Sequence, residues 1–383
     1  MSNNHLRSTT KLFLENSKLK LYTDLSLLKI KDQPIVDLLI PFCGQDSKER
    51  NPDLNITIGR FDNYEKTGKD FIELSSVIEC DACLLPIRYT QTKDDIKFEE
   101  EIKTFADTAE ESGKKTFVFL GSDVDYFDVK IKNSIIFCNT LYQSKRKSNE
   151  FAFTFFFEDF IAKYFNNQLP IREKTAVPTI GFCGYAPPLA QKLGFYKIKE
   201  ALRLGINYLG VIKKFPSFSA HSYRVRALLS ILRSKKINNN FVIRSNFGFG
   251  GPVGGLYPGG VKELNASFRE EYVKNITDSD YTLCVRGYGN NSIRFFEALC
   301  CGRIPVFINT DCVLPFDFII DWKKYCVWVE ESEMSRIPEK ILEFHNSKTP
   351  EEFKNLQVEI REIWKKYFTA EGFFQHLNLH LNA

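Results

Sequence analysis

Apolar and polar positions along this chain follow two periods that alternate. Short apolar runs recur at Ile35 to Phe42, Ala82 to Pro86, Lys115 to Leu120, Ser134 to Phe137, Thr179 to Cys183, Phe241 to Ser245, Tyr281 to Val285 and Ile304 to Ile308. Their length and continuity are those of strands buried on both faces of a parallel sheet. Helix-period segments lie between them, including a polar helix from Lys97 to Glu111, a helix from Tyr223 to Leu232 and one from Ile293 to Cys301. The alternation predicts α/β layering. Around Asn166 to Ala176 the pattern loosens into a polar connection, which places a boundary near residue 172 and divides the chain into 1–172, 173–348 and a terminal helical segment, 349–383. In that last segment Phe353, Leu356, Ile360, Ile363, Trp364 and Tyr367 form an apolar stripe at helical spacing, which is core material.

The densest chemistry lies between Tyr281 and Asp321. A strand runs into turn residues Gly287, Gly289, Asn290 and Asn291, and Ser292 or Asn291 is placed to cap the helix that follows. Gly302 stops that helix before the next strand. Arg294 and Glu297 are three residues apart and share a helix face, with Arg294 in the first turn. Free N–H groups, the positive end of the helix dipole, Arg294 and Arg286 at the strand end form a setting for phosphate, and Glu297 one turn deeper can accept from ribose hydroxyls. The bland alternative is an exposed ion pair worth a few tenths of a kcal/mol.

The order of these residues resembles the exostosin family of glycosyltransferases, family 47 of the carbohydrate-active enzymes. The resemblance is carried by Cys284-Val285-Arg286-Gly287, Arg294-Phe295-Phe296-Glu297-Ala298, Gly302-Arg303-Ile304-Pro305-Val306, Val313-Leu314-Pro315-Phe316 and Asp321-Trp322. It is close from Ser279 to Val329 and looser back to Pro178. The resemblance implies an inverting glycosyltransferase with two Rossmann-like domains facing a cleft, the GT-B architecture. The second domain would hold a nucleoside-diphosphate sugar, a UDP-sugar foremost, and the first would hold a glycan or other hydroxyl acceptor. The last helices would pack back on the first domain. Donor contacts fall to Arg286, Gly287, Asn291, Ser292, Arg294 and Glu297, with Arg224 and Arg226 at the start of an earlier helix added as phosphate contacts. With this positive charge in place no metal and no cofactor beyond the donor is expected. The acceptor hydroxyl must lose a proton, and strand ends of a doubly wound first half place Asp123 as the first candidate base and Asp46 as the second.

Composition adjusts this picture only at its edges. An apolar fraction of 43% with 35 Phe and 16 Tyr supplies core for two domains in 383 residues. A net charge of +4 excludes bulk electrostatic capture of nucleic acid, although a local basic surface can still meet an anionic lipid or sugar chain in peripheral contact. Ten Cys lie mostly in apolar runs, and the lone Cys80-Asp81-Ala82-Cys83 has no second pair, so buried thiols are expected rather than zinc. With no signal pattern at the amino terminus and no long apolar span, a cytoplasmic location is expected, unlike the Golgi-anchored eukaryotic exostosins.

Rivals and loose ends stay open at this level. Lys145-Arg146-Lys147 is expected to be a solvated turn, and the seven glycines of Gly248 to Gly260 a loop that either closes over an acceptor or is a tether. Gly287-x-Gly289-x-x-Ser292 with Asp311 imitates a dinucleotide fingerprint and keeps an NAD-dependent oxidoreductase as the alternative enzyme. Asp123-Val124-Asp125 imitates a metal-binding motif, and a non-catalytic sugar- or nucleotide-binding protein on the same fold is the third reading.

Overall fold

The computed structural model describes residues 18–30, 33–46, 57–90, 95–121, 128–186, 220–244, 262–287 and 289–383. Its first sheet contains β1 (Leu19–Tyr22), β2 (Ile72–Leu74), β3 (Ala82–Leu84), β4 (Thr116–Phe119), β5 (Ser134–Cys138) and β6 (Glu150–Ala152), in the order β2-β1-β3-β4-β5-β6. The second contains β7 (Thr179–Tyr185), β8 (Asn238–Arg244), β9 (Tyr281–Cys284), β10 (Ile304–Asn309) and β11 (Val327–Glu330), in the order β11-β10-β9-β7-β8. Every pairing in both sheets is parallel. The helices used below are α1 (Ile40–Cys43), α2 (Asp62–Thr67), α3 (Asp95–Glu111), α4 (Phe160–Phe165), α5 (Ala220–Leu232), α6 (Lys262–Thr277), α7 (Ile293–Cys300), α8 (Ile337–Asn346), α9 (Pro350–Tyr367) and α10 (Ala370–Gln375).

The expected α/β fold of two parallel-sheet units is the fold observed. Counted from its own first strand, each sheet runs second, first, third, fourth, fifth, and β6 extends the first sheet at its edge. Strand order therefore reverses between β1 and β3 and between β7 and β9, the topological switch points at which open α/β sheets take their ligands. The apolar runs become central strands because both faces are covered: β4, β5 and β9 are buried at every position.

One expected strand is corrected. From Asp37 to Phe42 the run is helical, a 3-10 turn at Asp37–Leu39 leading into α1 with Pro41 in its first turn, and only Ile35 makes an isolated antiparallel bridge, to Ile87. Proline suits a helix start and cannot donate to a sheet ladder, and a continuous apolar run does not distinguish a buried turn from a strand. The edge strand β2 and its neighbour β1 were not foreseen, because exposed Glu73 and Lys20 interrupt their apolar runs. Gly248 to Gly260 lies outside the described residues. Among those residues no helix is long and apolar enough to cross a membrane.

The connection near residue 172 is pinned rather than loose. Arg303 Nη2 donates to Pro170 O at 2.5 Å, Arg172 Nε to Asp280 Oδ1 at 2.6 Å, and the Arg172 backbone N–H to Gln357 Oε1 at 2.9 Å. The chain then returns. A capping box between Thr349 and Glu352, with Pro350 in the first turn, starts α9. Its stripe of Phe353, Leu356, Ile360 and Trp364 is buried. Next, α10 inserts Phe373 5.0 Å from Phe153 and Phe374 5.0 Å from Tyr64, both rings of the first unit. A 3-10 turn, Leu377–Leu381, sets the His380 ring 4.9 Å from Phe137 and 5.1 Å from Phe316. Buried residues from one face of the first sheet, from the second sheet and from this returning segment form one continuous core cluster, while the other face of the first sheet packs with α3 in a second cluster.

His380 is the acid-sensitive point of that closure. Burial pulls its imidazole down to about 3, the Leu377 carbonyl at 3.1 Å from Nδ1 opposes the pull, and Arg146 reinforces it. A histidine held neutral in the fold and free to protonate when unfolded contributes stability that is intact above about pH 6.5 and declines as pH falls toward 3. Between pH 6.5 and 5 the loss is about 2 kcal/mol, at about 1.4 kcal/mol per pH unit. Denaturant unfolding of the wild type and His380→Leu at pH 7 and pH 5 is expected to show a smaller acid-induced loss in the variant. Equal losses in the two proteins would remove His380 as the cause.

Candidate functional site

The corner between β9 and α7 is closed by a bond from the Gly287 backbone N–H to Asn291 O at 2.9 Å. Ser292 takes the extended N-cap conformation, φ −135° and ψ 106°, yet its side chain makes no bond to the first turn. Asn291 does not cap either. Its Nδ2 donates to Asn139 O of the first unit at 2.6 Å, while Asn290 Nδ2 reaches Leu141 O at 3.3 Å and Asp311 O at 3.1 Å. Of the two predicted caps, Asn291 is engaged in a bond between the two units and Ser292 does not cap, so the helix start keeps uncapped N–H groups. Gly302 stops the helix as its sequence implies. At φ +61° it is left-handed, and a Cβ there would lie 2.7 Å from Gln357 O.

From α7 the half-buried Arg294 reaches the carboxyl end of β7, beside the switch point. Its Nη2 donates to Cys183 O at 2.9 Å, and the guanidinium lies 4.5 Å from the Phe182 ring centre. Gly184 makes the approach possible, since a Cβ on it would stand 2.9 Å from Arg294 Nη2. Arg224 arrives from α5. It donates through Nη1 to Tyr185 O at 2.7 Å and lies 5.9 Å from the same Phe182 ring. The Nε groups of both arginines are buried with no hydrogen-bond partner among the described residues. Burial, then the neighbouring Arg294 charge, pushes Arg224 down to about 10. Burial also opposes the charge on Arg294, but Tyr272 and then Glu297 outweigh it and hold the group above its ordinary value. Two guanidiniums thus converge on one strand end, anchored by carbonyls. An anion there would meet donors that the protein leaves unused.

The other expected donor residues fall in different surroundings. Arg226 is exposed two positions from Arg224, on another face of α5, and is not brought into the site. The helix itself begins at Ala220, earlier than its pattern suggested, so Arg224 stands in the second turn. Arg286 is buried at the end of β9 and donates through Nη1 to Tyr142 OH of the first unit at 2.9 Å, with its guanidinium 5.6 Å from that ring.

Glu297 requires a correction. It is not an open acceptor for ribose: the residue is buried, Arg269 Nη1 donates to Oε1 at 3.3 Å, and the Tyr272 hydroxyl donates to Oε2. Arg269 also forks onto Glu158 of the first unit, with Nε to Oε1 at 3.1 Å and Nη2 to Oε2 at 3.2 Å. Tyr272 in turn lies beneath Arg294, 5.7 Å from ring centre to guanidinium. The carboxylate turned inward because α6, packed on β7, brings a buried guanidinium that bonds both Glu297 and Glu158. Arg269, Tyr272 and Glu158 escaped the sequence reading. The available signals were the three-residue spacing of Arg269 and Tyr272 on one helix face and the acidic Glu158-Asp159 pair before an apolar helix, where Asp159 Oδ1 accepts from the backbone N–H groups of Ile161 at 2.9 Å and Ala162 at 3.1 Å.

In the first unit Asp46 lines a cavity of about 620 Å³ at the carboxyl ends of the strands. Asp37 lines it too and accepts from Arg88 Nη2 at 2.7 Å. Asp123 lies outside the described residues.

The match to a known family falls on the second unit. The exostosin GT47 domain model matches residues 257–344. Exostosin-1 of Drosophila melanogaster is 33% identical over 100 residues, 26% of this chain and 13% of that protein. The Exostosin-1 homolog of Caenorhabditis elegans is 32% identical over 102 residues, 27% of this chain and 26% of the relative. Exostosin-1a of Danio rerio is 30% identical over 107 residues, 28% and 14% respectively. The matches therefore span about a quarter or less of each of these relatives. Among solved structures TarM aligns over 70% of this chain and 55% of its own at 14% identity, with a TM-score of 0.27.

Because Glu297 is one of two anions facing the buried Arg269, Glu297→Ala is expected to destabilise the fold by about 3 kcal/mol, the scale for breaking a buried ion pair from one side. A lower denaturant midpoint with an unchanged slope is the expected signature. A variant as stable as wild type would return Glu297 to the role of an exposed ligand group.

Proposed function

From a chain whose residues 257–344 form an exostosin GT47 domain, we propose a glycosyltransferase that moves a sugar from a nucleoside-diphosphate donor to a hydroxyl acceptor with inversion. The observation that carries the donor reading is the pair Arg224 and Arg294 beside the uncapped start of α7, with both buried Nε groups unused. Charge on the departing diphosphate grows in the transition state, so fixed cations and helix-start N–H groups stabilise the transition state more than the ground state. Guanidiniums in this position supply the positive charge that a divalent ion supplies in metal-dependent transferases, which supports a metal-independent reaction.

In-line attack places the acceptor across the cleft from the leaving group, where a base must take its proton. Asp46 at the first-unit cavity and Asp123 are the proposed bases. The dinucleotide alternative loses support at Asp311, whose carboxylate would be needed on a ribose. It is instead engaged by Ser144 of the first unit, accepting from the backbone N–H at 3.2 Å and from the hydroxyl at 2.5 Å.

Calorimetric titration with UDP, GDP, dTDP and NAD in EDTA is the direct test. A nucleoside diphosphate is expected to bind the wild type, and Arg224→Gln to weaken it by at least about tenfold, the lower end of a lost charged hydrogen bond. Binding of NAD alone, or an unchanged dissociation constant in the variant, would overturn the donor site.

If Asp46 accepts the proton, Asp46→Asn lowers kcat by about 10² to 10⁴ with donor affinity unchanged. Near-normal turnover would leave Asp123 as the remaining base.

A further inference from the structure

The first-unit cavity is built differently from the donor corner. Arg88 follows β3, Gly121 follows β4, Asn139 follows β5 and Phe153 follows β6, so it opens at the carboxyl ends of four parallel strands. Its volume of about 620 Å³ falls in the range of about 300–1,000 Å³ of small-molecule sites. It adjoins the second unit through two contacts. The Asn139 carbonyl accepts from Asn291 at 2.6 Å, and the Phe155 ring lies 6.2 Å from Phe296 on α7.

Its walls combine flat apolar surface with unused polar capacity. Phe61, Phe153, Phe155 and Phe156 line it and give its wall aromatic surface that suits C–H groups. Between two of them Thr154 Oγ1 is buried with no hydrogen-bond partner among the described residues. A hydroxyl left so opposes folding unless a ligand or water satisfies it. The charges of the lining cancel, Asp37 and Asp46 against Arg60 and Arg88. Both cations are engaged. Arg88 pairs with Asp37 at 2.7 Å, and Arg60 donates to Phe156 O at 3.0 Å with its guanidinium 4.9 Å from the Phe61 ring. A carboxylate or sulfate entering here would lose water and, among the described lining residues, meet only cations already engaged, whereas a hydroxyl-rich neutral ring meets aromatic surface, carboxylate acceptors and the Thr154 hydroxyl.

We propose that this cavity binds an uncharged sugar ring and discriminates against uronic acid and sulfated rings. Naming that ring the acceptor rests on the glycosyltransferase reading; the binding itself does not.

Cys43 provides the reporter, since it lines the cavity and is the exposed one of the ten free cysteines. Iodoacetamide alkylation of Cys43 in the full chain is followed by peptide mass spectrometry. The probes are methyl glucoside, methyl galactoside, methyl mannoside and methyl xyloside, each at increasing concentration, with methyl glucuronide and methyl galacturonide as anionic counterparts. At least one neutral glycoside is expected to slow alkylation by about threefold, the effect of two-thirds occupancy, with no slowing by the uronides. In Thr154→Val the unprotected rate is expected to stay as in wild type while the protection weakens. No protection by any neutral glycoside, equal or stronger protection by a uronide, or full protection in Thr154→Val would overturn the proposal. Nucleotide titration of the same preparation separates the two readings. Nucleotide binding without glycoside protection defeats only this inference, and protection without nucleotide binding defeats only the transferase.

Discussion

The structure depends on a buried charge that the two halves share. Arg269 on α6 is desolvated between Glu158 of the first unit and Glu297 of the second. Either carboxylate without the cation, or the cation without them, would be a charge taken out of water with nothing in return. The arrangement therefore specifies how the two sheets sit against each other. The next residue repeats the device, since Asp159 accepts from Arg361 of α9 at 2.5 Å while capping α4. Two successive acidic residues at the end of the first unit thus hold both a helix of the second unit and the helix that returns from it.

This joint bears directly on the candidate chemistry. Glu297 accepts from Tyr272, and Tyr272 lies beneath the Arg294 guanidinium that points at the end of β7. The Arg294 guanidinium is thus oriented by side chains whose own positions follow from the contact between units. Arg224 is different. It has main-chain and aromatic neighbours, and its charge is depressed by burial and by Arg294. A cation in that condition raises the energy of the empty site and lowers that of a site holding an anion, as preorganised electrostatic sites do.

Shared topology explains why the two candidate sites face each other. Both sheets have the same order through their first five strands and both are parallel, so each opens its strand ends on one side. The loops carrying Asn139 and Asn291 meet there. The returning segment then ties the arrangement together, because Phe373, Phe374 and His380 belong to the core of the first unit although they follow the second in sequence.

Sequence alone determined the layers and the strand-turn-helix corner from β9 to α7. Buried parallel strands need continuous apolar runs, and β3, β4, β5, β7, β9 and β10 were legible for that reason, as were α7 with its Gly302 stop and the stripe of α9. Where a run is apolar without a period, as from Ile35 to Phe42, sequence could not separate a proline-led helical turn from a strand. The placement of Arg294 beside Arg224 and the inward turn of Glu297 were decided only by tertiary structure. Spacing along one helix shows which residues share a face, but not which helix will cover it. Here α6 covered it with Arg269 and Tyr272, and a carboxylate that local geometry offered to a ligand became the counter-charge of a buried arginine.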